Sequence, residues 1–186
     1  MTGRGSNHAD RRSLLAGIAG AIGAFPLAGC LGSSVPDPVA VPSDRVCDTC
    51  GMLIHDHPGP IGQVFFEDES AVEPAQFCSS TCTYEYRFVA TDEGRTPTVI
   101  YLTDYSSVDF EVYEEGGDRF ITAHPAVSAF APTGDLSVVA RSEVLGSMGP
   151  DLHPFGDEGA ADTFAADYGG DVLSATAVSE DLLDAL

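Results

Sequence analysis

Four of the chain's five cysteines fall in two tight pairs, Cys47-x2-Cys50 and Cys78-x3-Cys82, with 27 residues between the pairs. A fold built on this chain has to bond these thiols, gather them round a metal or bury them apart, and no other feature restricts it as much. An even set of thiols suits two structural disulfides, or a link crossing between the pairs. It also suits a four-cysteine zinc site, although 27 residues exceeds the roughly 15 to 20 of compact zinc ribbons. Thiol-disulfide exchange is a third use. That chemistry wants a C-x2-C at a helix N-terminus, where one thiol pKa falls, whereas Gly51 and the β-like Met52-Leu53-Ile54 favour a loop entering a strand.

The fifth cysteine, Cys30, belongs to a different kind of segment. Arg11 and Arg12 precede an apolar run, Leu14 to Leu27, of fourteen residues, which is too short to span a hydrocarbon layer of about 30 Å comfortably. Residues 1–29 are therefore predicted to be an export signal. Arg11-Arg12 directly ahead of Ser13-Leu14-Leu15 marks it as twin-arginine, and Leu27-Ala28-Gly29-Cys30 resembles a lipobox. Cleavage before Cys30 frees that thiol to take a lipid, and one or two acyl chains anchor a protein outside the membrane without a spanning helix. Residues 30–45 would then be the lipidated cysteine followed by a flexible stalk, since LGSSVPDPVAVPSDR holds three Pro, three Ser and no helical period.

Charge narrows the possible partners. The formal net charge is -21, and all eight cationic residues are Arg. Such a surface is salt-adapted, because in molar salt the Debye length is roughly 3 Å and crowded carboxylates repel one another weakly. It excludes nucleic acid as a partner, whose phosphates it would repel.

Past the stalk the chain predicts an α+β fold: two related small β-β-α-β units packed as one compact body. In the first unit, residues 46–105, Gly51–Ile54 and Ile61–Glu67 read as a hairpin turned by His57-Pro58-Gly59-Pro60. A helix capped by Ser79 or Ser80 runs to about Ala90, with Cys82, Tyr86 and Val89 on one face and Cys78 at its mouth, and Thr98–Thr103 follows as a buried strand. In the second unit, residues 106–186, Val108, Phe110 and Val112 alternate with polar neighbours, and 119–123 and 136–141 are candidate strands. Asp157 caps a helix with Ala161, Phe164, Ala165 and Tyr168 on its apolar stripe, Gly169-Gly170 stops it, 171–176 closes the sheet, and the tail from Ser179 adds a helical turn. AQFCSSTCTYEYRF and HPFGDEGAADTFAADY sit at similar places in the two halves.

Methionine separates the uses of the sulfur. Beyond the initiator there are two, Met52 directly after Cys50-Gly51 and Met148 in the loop GSMGPDLHPF. A thioether is a poor ligand for zinc, calcium or magnesium and a good one for Cu(I). Gly51 lets the backbone bend so that Cys50 and Met52 address one ion. His55, His57 and His153 are possible imidazole ligands, and packing is the alternative use of both methionines.

CDTCGM, FCSSTC, VIYLTDY, SMGP with HPF, and AADTFAADYGGDVL occur in the order and rough spacing of the NosL family, lipoprotein accessory factors of nitrous oxide reductase. The chain resembles that family over about residues 44–176, as a salt-adapted, haloarchaeal-type member. Two positions depart from the pattern: Cys82 stands where many members carry a polar residue, and Ser-Met-Gly replaces the common Pro-Met-Gly. The resemblance implies a Cu(I)-binding chaperone, not an enzyme, delivering copper outside the membrane to nitrous oxide reductase or its maturation transporter complex. It also implies a ligand set drawn from Cys47, Cys50 and Met148, to which the residue reading adds Met52, Cys78 and Cys82. CxxCGM followed by FCSxxC is also similar to the small TRASH or YHS metal-binding modules, which span only about 45 residues and would leave 97–176 without a role.

Overall fold

The computed structural model describes residues 35–66 and 73–186. The predicted signal, twin-arginine motif, lipobox and Cys30 lie outside the described residues, as does Glu67 at the end of the predicted second strand. No described helix is long and apolar enough to cross a membrane.

The architecture is mixed α+β, as the sequence predicts. Its elements in chain order are β1 (Gly62–Phe66), β2 (Ala75–Phe77), α1 (Ser80–Asp92), β3 (Pro97–Thr103), β4 (Val112–Glu115), β5 (Asp118–Ile121), β6 (Phe130–Pro132), β7 (Ser137–Ala140), β8 (Val144–Gly146), β9 (Gly149–Pro150), β10 (His153–Phe155), α2 (Glu158–Tyr168), β11 (Asp171–Ser174) and α3 (Glu180–Leu183). Among the described residues three sheets form, ordered β2-β1-β3-β6, β10-β7-β11 and β4-β5-β8-β9.

The first two sheets are copies of one design. In each, a central strand pairs antiparallel with a strand on either side, and the helix lies between the second and third strands of the copy. The registers agree residue for residue: Gly62 faces Phe77 and Leu102, while Ser137 faces Phe155 and Ser174. Two residues after the matching Phe77 and Phe155, Ser79 and Asp157 cap the helices through their side chains, accepting from the N–H groups of Cys82 and Ala160. Even the loops that cover the two helix mouths agree, with Asp48 N–H donating to Gln76 O and Tyr105 N–H to Pro154 O, both at 3.0 Å. The copies interleave around the division expected near Tyr105. β6, from beyond it, completes the first sheet, and Asp104 and Tyr105, from before it, cover the second copy.

Three expectations are corrected. Gly51–Ile54 is no strand: it makes a single bridge, Leu53 to Val46, and then a 3-10 turn over Ile54–Asp56. The partner of β1 is instead β2, a three-residue strand that the sequence reading missed, because Glu73-Pro74 beside it reads as loop and three residues show no period. The part of the predicted stalk that the structure describes is docked. The buried Gln63 amide pairs with both backbone groups of Val39, Tyr101 donates its hydroxyl to Pro36 O, and Val41 is buried. A Pro-rich extended segment needs no periodicity to dock when its backbone finds side-chain partners. The third correction is on α1, where Cys82 and Tyr86 face the core but Val89 is largely exposed.

The core divides accordingly. One cluster, under the first sheet, holds Ile54, Ile61, Val64, Phe77 and three of the thiols, Cys47, Cys78 and Cys82. Another, around α2, holds Tyr105, Ile121, Phe155 and Phe164. The thiols are thus set in the wall of an apolar interior.

Candidate metal centre

Local structure brings the thiols together in two steps. The chain from Cys47 to Met52 closes on itself, with Gly51 N–H donating to Cys47 O (2.9 Å) and Cys47 N–H to Met52 O (2.8 Å). Gly51 sits at φ +76°, a left-handed conformation that a side chain would strain, and it folds Cys47 and Cys50 to one side. Asp48 then fixes this loop to β2, since its carboxylate accepts from Gln76 N–H at 2.7 Å and pairs with Arg45. Thr49 fixes it to α1 by donating its hydroxyl to Cys82 O at 2.9 Å. On the other side, the Ser79 cap holds Cys82 in the first turn of α1, one turn after Cys78.

The result is a cluster of four free thiols, Cys47, Cys50, Cys78 and Cys82, whose Sγ atoms all lie within 4.8 Å of one another. A tetrahedral ion with bonds of about 2.3 Å places its sulfurs roughly 3.8 Å apart, so one metal fits among them with little movement. Cys47, Cys78 and Cys82 are buried, and Cys50 is partly exposed. Cys50 Sγ lies 3.5 Å from Cys78 Sγ, so the two pairs meet each other directly.

The protons on these sulfurs are shared unequally. S–H donation from Cys78, then from Cys82, holds the Cys47 thiol far below the usual thiol range despite burial. The same bond to Cys47 pushes Cys78 up to about 12 and raises Cys82 further still. The proton is thus lost most readily at Cys47 and held most tightly at Cys78 and Cys82, and the N-terminal end of α1 adds a positive dipole beside them.

The other predicted ligands are less tightly placed. Met52 is half-buried and contributes its carbonyl to the Cys47 loop. Met148 is 49% exposed, on the turn between β8 and β9. Its neighbour Ser147 reaches the cluster's backbone, with its hydroxyl against Cys78 O and Pro58 O. The predicted imidazoles do not join: among the described residues the His, Cys, Asp and Glu side chains close enough to share an ion here are the four cysteines. His153 is fully buried elsewhere, donating from Nε2 to Val144 O at 2.9 Å and packed on Phe164, and His55 bonds Val41 O.

Asp151 is a further residue of the site region that the sequence reading missed. It is buried, and Oδ1 accepts from Thr81 N–H, Thr81 Oγ1 and Leu152 N–H, each at 2.9 Å. No local pattern marks an acid 70 residues from the helix whose first turn it bonds.

The equivalent place in the second copy is filled differently. Matching of strand register and loop contacts sets Asp104, Ser107, Gly156 and Ala160 where the first copy has Cys47, Cys50, Cys78 and Cys82. There the Asp104 carboxylate accepts from Gly156 N–H (2.7 Å) and Ser106 N–H (2.8 Å), closing the helix mouth without sulfur. A Cβ at Gly156 would lie 2.7 Å from Asp104 Oδ2, so the two residues occupy one space.

The sequence and the fold both have relatives among known proteins. The NosL family model matches residues 38–183. The copper-binding lipoprotein NosL of Stutzerimonas stutzeri is 28% identical over 147 residues, 79% of this chain and 68% of that protein. Among solved structures, the copper chaperone NosL from Shewanella denitrificans superposes with a TM-score of 0.63 at 23% identity, covering 78% of this chain and 98% of that one, a likeness of fold. The solution structure of apo-NosL from Achromobacter cycloclastes gives a TM-score of 0.42 at 21% identity, over 66% of this chain and 87% of that one.

Proposed function

The chain belongs to the NosL family, and we propose on that premise that it binds Cu(I) at the four-thiol cluster and hands the ion on, as an exported copper chaperone tethered to the membrane by a lipid on Cys30. The observation that carries this reading is the meeting of four free thiols within 4.8 Å, three buried and one, Cys50, partly exposed. A soft d10 ion is satisfied by two or three sulfur ligands, so a four-thiol cluster leaves at least one sulfur uncommitted. Transfer then proceeds by ligand exchange. An incoming Cys, Met or His of the recipient bonds the copper from the Cys50 side, one resident sulfur leaves, and the ion moves without any covalent turnover.

The protein's own residues supply three things. Thr49, Asp48 and Ser79 fix the positions of the sulfurs, so little rearrangement accompanies capture. The apolar wall of Ile54, Phe77 and Val64 keeps water from the buried thiols. The Cys47 thiol, held below the usual range, gives up its proton most readily, and each thiol that bonds the metal releases its proton, which makes binding stronger as pH rises.

For the recipient, we take nitrous oxide reductase or its maturation transporter complex, on the strength of the family, and we assign Met148 as the thioether ligand because Ser147 holds its turn against Cys78. The acidic, Lys-free surface supports work in high salt, as the lipobox before Cys30 supports work outside the membrane.

The same four thiols favour one other reading, a closed structural zinc site. Reduced apo-protein competed against a Cu(I) chelator under argon separates the two. The chaperone reading expects tight Cu(I) binding that weakens markedly in Cys50→Ser and Met148→Leu and moves to an acceptor chelator within the assay. Zinc held by four thiolates, with no exchange of copper and no effect of either substitution, overturns it.

A further inference from the structure

The segment that carries Met148 is joined to the thiol cluster at two points, and each is a polar contact across a long stretch of chain. At the entry of the turn, Ser147 Oγ lies against Cys78 O and against Pro58 O, 69 and 89 residues away. Its hydroxyl has a single proton and donates to one carbonyl at a time. Beyond the exit, Asp151 Oδ1 takes both the N–H and the hydroxyl of Thr81, the residue just before Cys82. The Thr81 N–H is one of the donors that a helix leaves without an internal partner. Ser79 serves the next of them, so Asp151 and Ser79 together complete the first turn that positions Cys82.

An apolar pair would join two segments more cheaply. Asp151 is only 2% exposed, its Oδ2 has no hydrogen-bond partner, and a carboxyl group buried half-satisfied is destabilising by itself. The fold makes room for it at the base of the same turn: Gly146 has no Cβ, and one placed there would lie 2.2 Å from Asp151 Oδ2. An expensive, specifically accommodated carboxyl group between a thiol helix and a thioether turn calls for an explanation beyond packing.

We propose that Asp151 is the positioning residue that sets the Met148 turn against the first turn of α1, so that Met148 can reach an ion held by Cys78 and Cys82. This rests on the copper reading above. Asp151 touches no ligand atom. It acts by fixing where residue 148 stands, and the partly exposed thioether supplies the swing that lets the ion leave.

The experiment is a double-mutant cycle on Cu(I) affinity, using the full mature protein, reduced, with Met148→Leu, Asp151→Ala and both together, and with copper as the probe. Each single substitution is expected to weaken binding about tenfold, and the pair no more than about twofold beyond either one, because Asp151 acts through Met148. X-ray absorption at copper is expected to lose one sulfur neighbour in either single variant. Asp151→Asn keeps an acceptor for Thr81 and restores near wild-type affinity, and Thr81→Ala, which removes one bond of the clamp, reproduces a smaller loss in case Asp151→Ala does not fold. Losses that add in the double variant, or a copper shell unchanged in Asp151→Ala, overturn the proposal while leaving the copper reading intact, and Met148→Leu binding like wild type overturns both the proposal and the assignment of Met148 as a ligand, while copper at the thiols stands. Failure of the wild-type protein itself to bind Cu(I) overturns the copper reading, and this proposal with it.

Discussion

Two residues apart on one short segment, Asp151 and His153 are both buried, and burial displaces their proton affinities in opposite senses. Desolvation raises the Asp151 carboxyl from its ordinary 3.8 to about 7, and lowers the His153 imidazole from 6.5 to about 4. Linkage converts each difference into a dependence of stability on pH, at about 1.4 kcal/mol per pKa unit. Below pH 6.5 the unfolded chain protonates its histidine and the folded chain does not. The His153 contribution is therefore complete above pH 6.5 and declines by about 3 kcal/mol as pH falls through 4. For Asp151 the folded chain keeps a proton that the unfolded chain has lost, so its contribution is complete below pH 3.8 and declines by about 4 kcal/mol as pH rises through 7. Between pH 4 and 7 the two slopes nearly cancel in the wild-type protein. Separate substitutions uncover them. His153→Gln retains a donor for Val144 O and removes the titration, so relative to wild type it loses about 3 kcal/mol on going from pH 4 to pH 7. Asp151→Asn retains the acceptor for Thr81 and gains about 4 kcal/mol over the same range. Urea unfolding of reduced apo-protein, followed by circular dichroism at half-unit steps, gives both difference curves, in which the many surface carboxylates cancel. Two flat curves, or slopes of the same sign, would refute the reasoning.

Oxidation gives another outcome that geometry decides. Mild treatment with oxidised glutathione is expected to link Cys50 first to Cys78, 3.5 Å away, one thiolate attacking the reagent and the other displacing glutathione from the mixed disulfide. Peptide mapping that finds Cys47–Cys50 or Cys78–Cys82 instead refutes this. Gly62 passes so close to α1 that a Cβ would lie 2.0 Å from Thr83 Oγ1, and Gly62→Ala should destabilise the protein by about 1–3 kcal/mol in urea, with partial recovery in Gly62→Ala/Thr83→Ala. Ser79→Ala removes the acceptor for Cys82 N–H, which should cost about 1 kcal/mol of stability and also weaken metal binding, measured by the same chelator competition. A loss of stability with affinity unchanged would mean that the cap does not hold the thiol.

What could be read from the chain alone was whatever depends on neighbours in sequence. Ser79 or Ser80 and Asp157 announced the starts of α1 and α2, Gly169 a helix end, and Gly51 the bend between two soft ligands, because caps and left-handed turns are chemistry within a few residues. The pairing of thiols within each motif was legible for the same reason. Their convergence was not: Cys50 meets Cys78 because β2, too short to show a period, lays the second pair beside the loop of the first. The docking of residues 36–41 turned on a single buried amide, Gln63, and the Asp151 clamp on an acid distant in sequence. Composition and spacing determined that this chain carries soft sulfur. Only the folded sheet decided which sulfurs share a space, since distances across a core are set by packing and by hydrogen bonds between segments that sequence order keeps apart.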